Sequence, residues 1–132
     1  MNFAMWGKAL RIIPRLNKDE WDGLDLISRW LIATRSAVLI MTFISTGIAG
    51  LLAFRDGQFD MSLWLLLTVG LLMAHATNNL LNDLTDYLKG VDQDNYFRTQ
   101  YGPQPVAQGL MSKRELMLYA TVTGLIALLA GA

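Results

Sequence analysis

The chain has 132 residues, enough for one domain, with 11 basic and 11 acidic side chains and no net charge. That balance gives no electrostatic case for nucleic acid as a partner, and the lack of cysteine excludes a disulfide framework and a thiolate metal site. Hydrophobic residues make up 53% and are segregated: charges gather at the N-terminus and in one central loop, with long uncharged blocks between.

Met1 to Arg15 carries Lys8, Arg11 and Arg15 among apolar residues and is interrupted by Pro14. Without a continuous apolar core or a small-residue cleavage site, it does not read as a signal peptide. Residues 1–34 read instead as an amphipathic interfacial segment of one or two helices. Trp6, Leu10, Ile13 and Leu16 can share one face, and Trp21, Leu24, Ile27 and Leu31 repeat the pattern behind an acidic start at Asp19 and Glu20. Tryptophan at such a place suits the membrane–water boundary.

Residues 35–132 read as an all-α, polytopic transmembrane bundle with membrane helices at about 36–54, 61–88 and 115–132. A helix needs about 20 mostly apolar residues to cross the hydrocarbon, and the blocks are continuous rather than alternating. Gly47 and Gly50 in the first helix and Gly124 in the third are small residues that would let helices approach closely. Arg11, Arg15, Lys18, Arg29 and Arg35 precede the first helix, and Lys89, Arg98, Lys113 and Arg114 follow the second. The connection between those helices has only Arg55, offset by Asp56 and Asp60. The distribution of basic residues predicts a cytoplasmic N-terminus and a cytoplasmic loop at 89–114, in a plasma (inner) membrane protein.

The informative stretch continues the second helix beyond its apolar part. Asn79, Asn82, Asp83 and Asp86 lie at i, i+3, i+4 and i+7, one helical face, and Gly90 is a plausible stop that leaves Asp92 and Asp94 in the following loop. Carboxylates this dense repel one another, and a cation relieves the repulsion. Oxygen ligands of this kind suit Mg²⁺, which takes one or two carboxylates and keeps sites for water and phosphate oxygens. The bases Lys89, Arg98, Lys113 and Arg114 lie close enough in sequence to neutralise a phosphate. A solvated helix end would also account for Asp83 and Asp86, though such an end has no need of Asn79 and Asn82 on that face. His75, one turn before Asn79, would face the same way, as a helix–helix hydrogen bond or as a contact to an acceptor.

Asn82-Asp83-x-x-Asp86 followed by Gly90-x-Asp92 resembles the first aspartate-rich motif of the UbiA-type prenyltransferases. The segment from Asn79 to Asp92, with its Lys89-Gly90-Val91-Asp92 ending, is most similar to the branch that prenylates 1,4-dihydroxy-2-naphthoate in menaquinone synthesis. Arg35, Arg98-Thr99, Pro103-Gln104-Pro105 and Gly109 to Ser112 also match positions of that family. The resemblance implies a multi-span helical fold around a cavity and transfer of a polyprenyl group from an allylic diphosphate to an aromatic acceptor. On it, Asp83 and Asp86 are the catalytic carboxylates. Asp83, Asp86 and Asp92 are ligands of Mg²⁺ or its waters, and Asn79, Asn82, Lys89 and Arg98 hold the diphosphate. The implied partners are a polyprenyl diphosphate, the acceptor and the bilayer.

Two departures stand out. Gly102 occupies a place where the family often has arginine, and a second aspartate cluster is absent. The expectation is an N-terminal portion of a longer enzyme, inactive alone. Other readings of the same residues are a cation-binding transporter segment and a membrane-anchored assembly protein without chemistry.

Overall fold

The computed structural model describes residues 1–90 and 102–132, and among these every regular element is helical. In chain order they are α1 (Phe3–Ala9), α2 (Lys18–Asp22), α3 (Leu26–Ala33), a 3-10 turn (Ser36–Leu39), α4 (Ile40–Arg55), α5 (Met61–Leu88) and α6 (Lys113–Gly131).

Side chains in the flanking sequence set the helix starts. Asn17 and Glu20 form a capping box on α2, Ser112 and Glu115 form another on α6, and Asp60 accepts the Leu63 N–H at the start of α5. Each satisfies backbone donors that the first turn leaves without partners and stabilises its helix by about 1 kcal/mol. α4 has no side-chain cap. It is entered through the 3-10 turn instead, so the first membrane segment runs continuously from Ser36 to Arg55.

Three segments are long and apolar enough to cross a membrane: Ser36–Arg55, with mean hydropathy 2.2, and Met61–Leu88 and Lys113–Gly131, each 1.3. Little of their surface is buried within the chain. Leu51, Leu128 and Leu129 are 71%, 71% and 77% exposed, a surface that suits lipid and not water. The chain is therefore an integral membrane protein. α5 has 28 residues, so at about 1.5 Å per residue it exceeds the roughly 30 Å of hydrocarbon, and its last turns stand beyond the apolar layer.

The most extensive packing is between α5 and α6, followed by α4 against α5. Small residues sit at both contacts. Gly124 faces Thr77, and a Cβ on Gly70 would lie 3.3 Å from Ala130 Cβ. At Gly50 an added Cβ would stand 2.6 Å from Trp64 Nε1, and that indole donates to the Thr46 carbonyl at 2.9 Å. A Cβ on Gly47, by contrast, would meet no other atom within 4 Å.

The buried core gathers at one end. Ala9, Trp21, Ile32 and Ala33 from the N-terminal segment meet Leu80 and Leu84 of α5, Leu110 and Met111, and Leu116 and Ala120 of α6. Lys18 ties the same end together, pairing with Asp22 at 2.7 Å and donating to the Leu110 carbonyl at 3.0 Å. The N-terminal helices thus form a plate across the polar ends of α5 and α6.

Candidate functional site at the polar end of the second span

The polar stripe of α5 meets the corner where α3 ends and the first span begins. α3 closes at Thr34, whose hydroxyl donates back to the Trp30 and Leu31 carbonyls at 2.9 and 3.3 Å. Asn79 Nδ2 donates to the Thr34 carbonyl at 2.8 Å, supplying a partner for a carbonyl that the helix end leaves open. Arg35 follows in the left-handed conformation, φ 53 and ψ 51, a position that usually holds glycine. From there its guanidinium reaches the Asp83 carboxylate and forms an ion pair. Asp83 is 5% exposed, so this charge is held by pairing and not by water.

One turn toward the hydrocarbon, Thr42 Oγ1 and His75 Nδ1 share a hydrogen bond of 2.7 Å. It joins α4 to α5, and His75 serves as a helix–helix contact on the same stripe as Asn79 and Asp83. One turn the other way, Asp86 is half-buried. Tyr87 follows, with the Lys113 ammonium 4.9 Å from its ring centroid. α5 then ends: Lys89 caps it, exposed, and Gly90 takes φ 67, the left-handed stop expected of a glycine there.

The face drawn from spacing is divided by the structure. Asn79, Asp83 and Asp86 turn toward the rest of the chain, whereas Asn82 is exposed, about 100° around the helix from Asp83. Asp92 and Arg98, together with Asp94, lie outside the described residues. Spacing along α5 gives no sign that Asp83 pairs with Arg35, 48 positions earlier. A signal exists in the antiparallel order of the first two spans, which places the start of one beside the end of the other.

The downstream segment explains one departure. Gly102 has φ 131, and a Cβ there would lie 2.5 Å from Ile13 Cγ2. Ile13 occupies the space an arginine stem would need. Pro103, Gln104 and Pro105 are buried behind it, and the Pro105 carbonyl accepts from Leu110 and Met111 at 2.8 and 3.0 Å.

The motif implies an oxygen-preferring divalent cation. Asp83 and Asp86 offer two carboxylates one turn apart, the number Mg²⁺ takes when water and phosphate oxygens complete its shell, so the donor chemistry fits. Among the described residues no three His, Asp or Glu side chains converge as a metal site. Beside the stripe, Leu26, Ile27, Trp30, Met73, Leu118 and Val122 help line an apolar cavity of about 330 Å³ between α3, α5 and α6. Trp30 is fixed in its wall by donating to Thr123 Oγ1 at 3.0 Å.

A family model described as the UbiA prenyltransferase family matches residues 42–132, more than half of the chain. No curated protein and no solved structure matches it.

Proposed function

The chain belongs to the UbiA prenyltransferase family, whose members transfer a prenyl group to an acceptor, and from that premise we propose that its α5 stripe holds the cation and diphosphate of a polyprenyl donor. The acceptor is an aromatic ring, with a quinone precursor of the 1,4-dihydroxy-2-naphthoate type favoured by the Lys89-Gly90-Val91-Asp92 ending. The observation that carries the reading is the placement of Asp83 and Asp86 at the polar end of an apolar span too long for the hydrocarbon alone.

Each residue has a part that follows from its chemistry. Asp86 and Asp83 supply carboxylate oxygens to Mg²⁺, with Asp92 as a further ligand. Asn79 and Asn82 orient the diphosphate through their amides, and Lys89 and Arg98 neutralise its oxygens. The bound ion would offset charge building on the departing diphosphate. In the reaction the allylic carbon–oxygen bond breaks and its electron pair leaves with the diphosphate. A ring carbon of the acceptor forms the new carbon–carbon bond, and the ring proton is lost. Apolar walls of the spans keep water from the allylic cation. The basic residues of the N-terminal segment and of the 89–114 loop favour the cytoplasmic side of the plasma membrane for this chemistry.

The test is prenyl transfer by membranes carrying the protein, followed by product chromatography with a naphthoate acceptor. Activity should require Mg²⁺ and vanish with a chelator. Asp86→Asn should reduce it by about a hundredfold or more, the loss of about 2.7 kcal/mol of transition-state stabilisation. Full activity in Asp86→Asn would remove the site assignment, and activity untouched by the chelator would remove the metal.

A further inference from the structure

The apolar cavity between α3, α5 and α6 is a groove with a direction. On α6, Leu118, Val122 and Ile126 follow one another at intervals of four along one exposed face, and α3 walls the groove with Ile27 and Trp30. At about 1.5 Å per residue that face runs for about 12 Å along the span, the direction in which lipid chains lie. Trp30 donates to Thr123 Oγ1 at 3.0 Å, which fixes its indole as part of the wall.

Apolar walls alone accept any lipid chain. What this groove adds is a cation at its polar end. Arg29 precedes Trp30 on α3, and its charge acts on Tyr119, which lines the groove, and on Glu115 one turn earlier on α6. The guanidinium donates from Nη2 to the Asp22 carbonyl at 2.9 Å, and its Nε is buried with no hydrogen-bond partner among the described residues. The carboxylates nearby are engaged elsewhere: Asp22 pairs with Lys18 at 2.7 Å, and Glu115 accepts the Ser112 N–H at 2.7 Å. Arg29 itself forms no ion pair among the described residues. A guanidinium without a carboxylate at the edge of hydrocarbon suits an oxygen-rich anion, and a phosphate matches its planar fork. Neither Asp83 nor Asp86 lines the groove, so an anion there meets an arginine and not a carboxylate-bound cation.

We propose that this groove seats one anionic membrane phospholipid, with its phosphate on Arg29 and one acyl chain laid along α6 from Tyr119 toward Ile126. Basic pockets between spans at the membrane surface select anionic headgroups in this way. A lipid so placed bridges α3 and α6 and fills the space that their own side chains leave. The inference does not depend on prenyl transfer, because its ligand and its anchoring residue are separate from the carboxylates of α5.

The experiment places the protein in phosphatidylcholine nanodiscs and adds, in separate series, phosphatidylglycerol or phosphatidylcholine with dibrominated acyl chains. Bromine quenches tryptophan fluorescence at contact range, and the share of quenching lost in Trp30→Phe belongs to the groove. In wild type, brominated phosphatidylglycerol should reach half of that quenching at a mole fraction about fivefold to tenfold below that of brominated phosphatidylcholine. Arg29→Gln should bring the two series together, and Arg29→Lys should keep part of the difference, since an ammonium retains the charge without the fork. Arg11→Gln, which removes an exposed cation that does not line the groove, should leave the preference intact. Equal quenching by the two lipids in wild type makes the groove a place for any lipid and overturns the proposal, as does a preference that survives Arg29→Gln. Should Arg29→Gln fail to fold, Val122→Phe decides. Val122 is 49% exposed, so the larger side chain fills the groove without crowding a core, and unchanged quenching of Trp30 by phosphatidylglycerol overturns the proposal. Farnesyl diphosphate with MgCl₂, added to wild type, tests the other amphiphile with a phosphate head. Displacement of the brominated phosphatidylglycerol assigns the groove to a prenyl donor and overturns the phospholipid seat, whereas undiminished quenching supports it.

Discussion

Asp25 shows how a single side chain organises the N-terminal plate. Its carboxylate accepts the Ser28 N–H at 3.1 Å as the N-cap of α3, the Asn2 N–H at 2.8 Å, the Trp6 indole at 3.1 Å and the Ser28 hydroxyl at 3.0 Å. Partial burial pushes the carboxyl upward, but these four donors outweigh it and bring its pKa from 3.8 down to about 2. A folded-state value below the unfolded one makes the ionised carboxylate a source of stability. That contribution is complete above the unfolded pKa and is lost as pH falls through the folded one. Thermal unfolding should therefore weaken between about pH 4 and pH 2 through this group, and Asp25→Asn, which keeps an acceptor but cannot titrate, should flatten that part of the profile. The same fall in Asp25→Asn as in wild type would assign it to other carboxylates. At this scale the capping residues are open to sequence reading in principle, since Asn, Asp and Ser precede helices everywhere. The convergence of Asn2 and Trp6 on Asp25, 23 and 19 positions away, is not.

Among the elements, the contact of α4 with α5 turns on Gly50 and Trp64. The indole lies where a Cβ would be, and its N–H is committed to the Thr46 carbonyl. Gly50→Ala should push the spans apart or displace the indole from its acceptor, at about 1–3 kcal/mol. Combined with Trp64→Phe, which removes the offending ring edge, the alanine should cost less than the sum of the two single changes. Strict additivity in thermal unfolding would show that the contact is looser than this geometry. The spans are legible in the sequence because continuous apolar runs have one solution in lipid, and the stop at Gly90 is legible because glycine alone takes φ 67 without strain. The partners across the helices are less so. Gly50 and Gly124 stand out as small residues, but Gly47 has no close neighbour, and Gly70, against Ala130, carries no separate signal. Small residues report that an approach is allowed. Which approach occurs depends on the register between helices, and a single sequence leaves that register open.

The molecule as a whole is built with its own core at the polar end and its apolar surface directed outward, the inverse of a water-soluble bundle. In lipid, burying leucine against leucine gains little, because the surrounding chains are as apolar as the side chains. The plate of α1, α2 and α3 lies where that exchange no longer holds, and its contacts with Leu80, Leu84 and Leu116 exclude water. The helical, amphipathic character of residues 1–34 can be read from tryptophans and periodicity. That Trp21 would be 1% exposed, under the ends of α5 and α6 and close in sequence to Lys18 with its bond to Leu110, cannot, because those contacts span about 90 positions of chain. The site depends on this plate, since α3 carries Thr34 and leads directly into Arg35, which hold Asn79 and Asp83. Trp21→Ala should then lower stability by about 3–5 kcal/mol and, by loosening α3, weaken the Mg²⁺ binding proposed for the stripe. Leu129→Ala, at a position 77% exposed on the last turns of α6, should change neither beyond about 0.5 kcal/mol. Thermal unfolding of both variants in nanodiscs, with and without Mg²⁺, makes the comparison. Equal shifts would mean that stability is spread along the spans, and that the acidic stripe is held by the helices alone without help from the N-terminal plate.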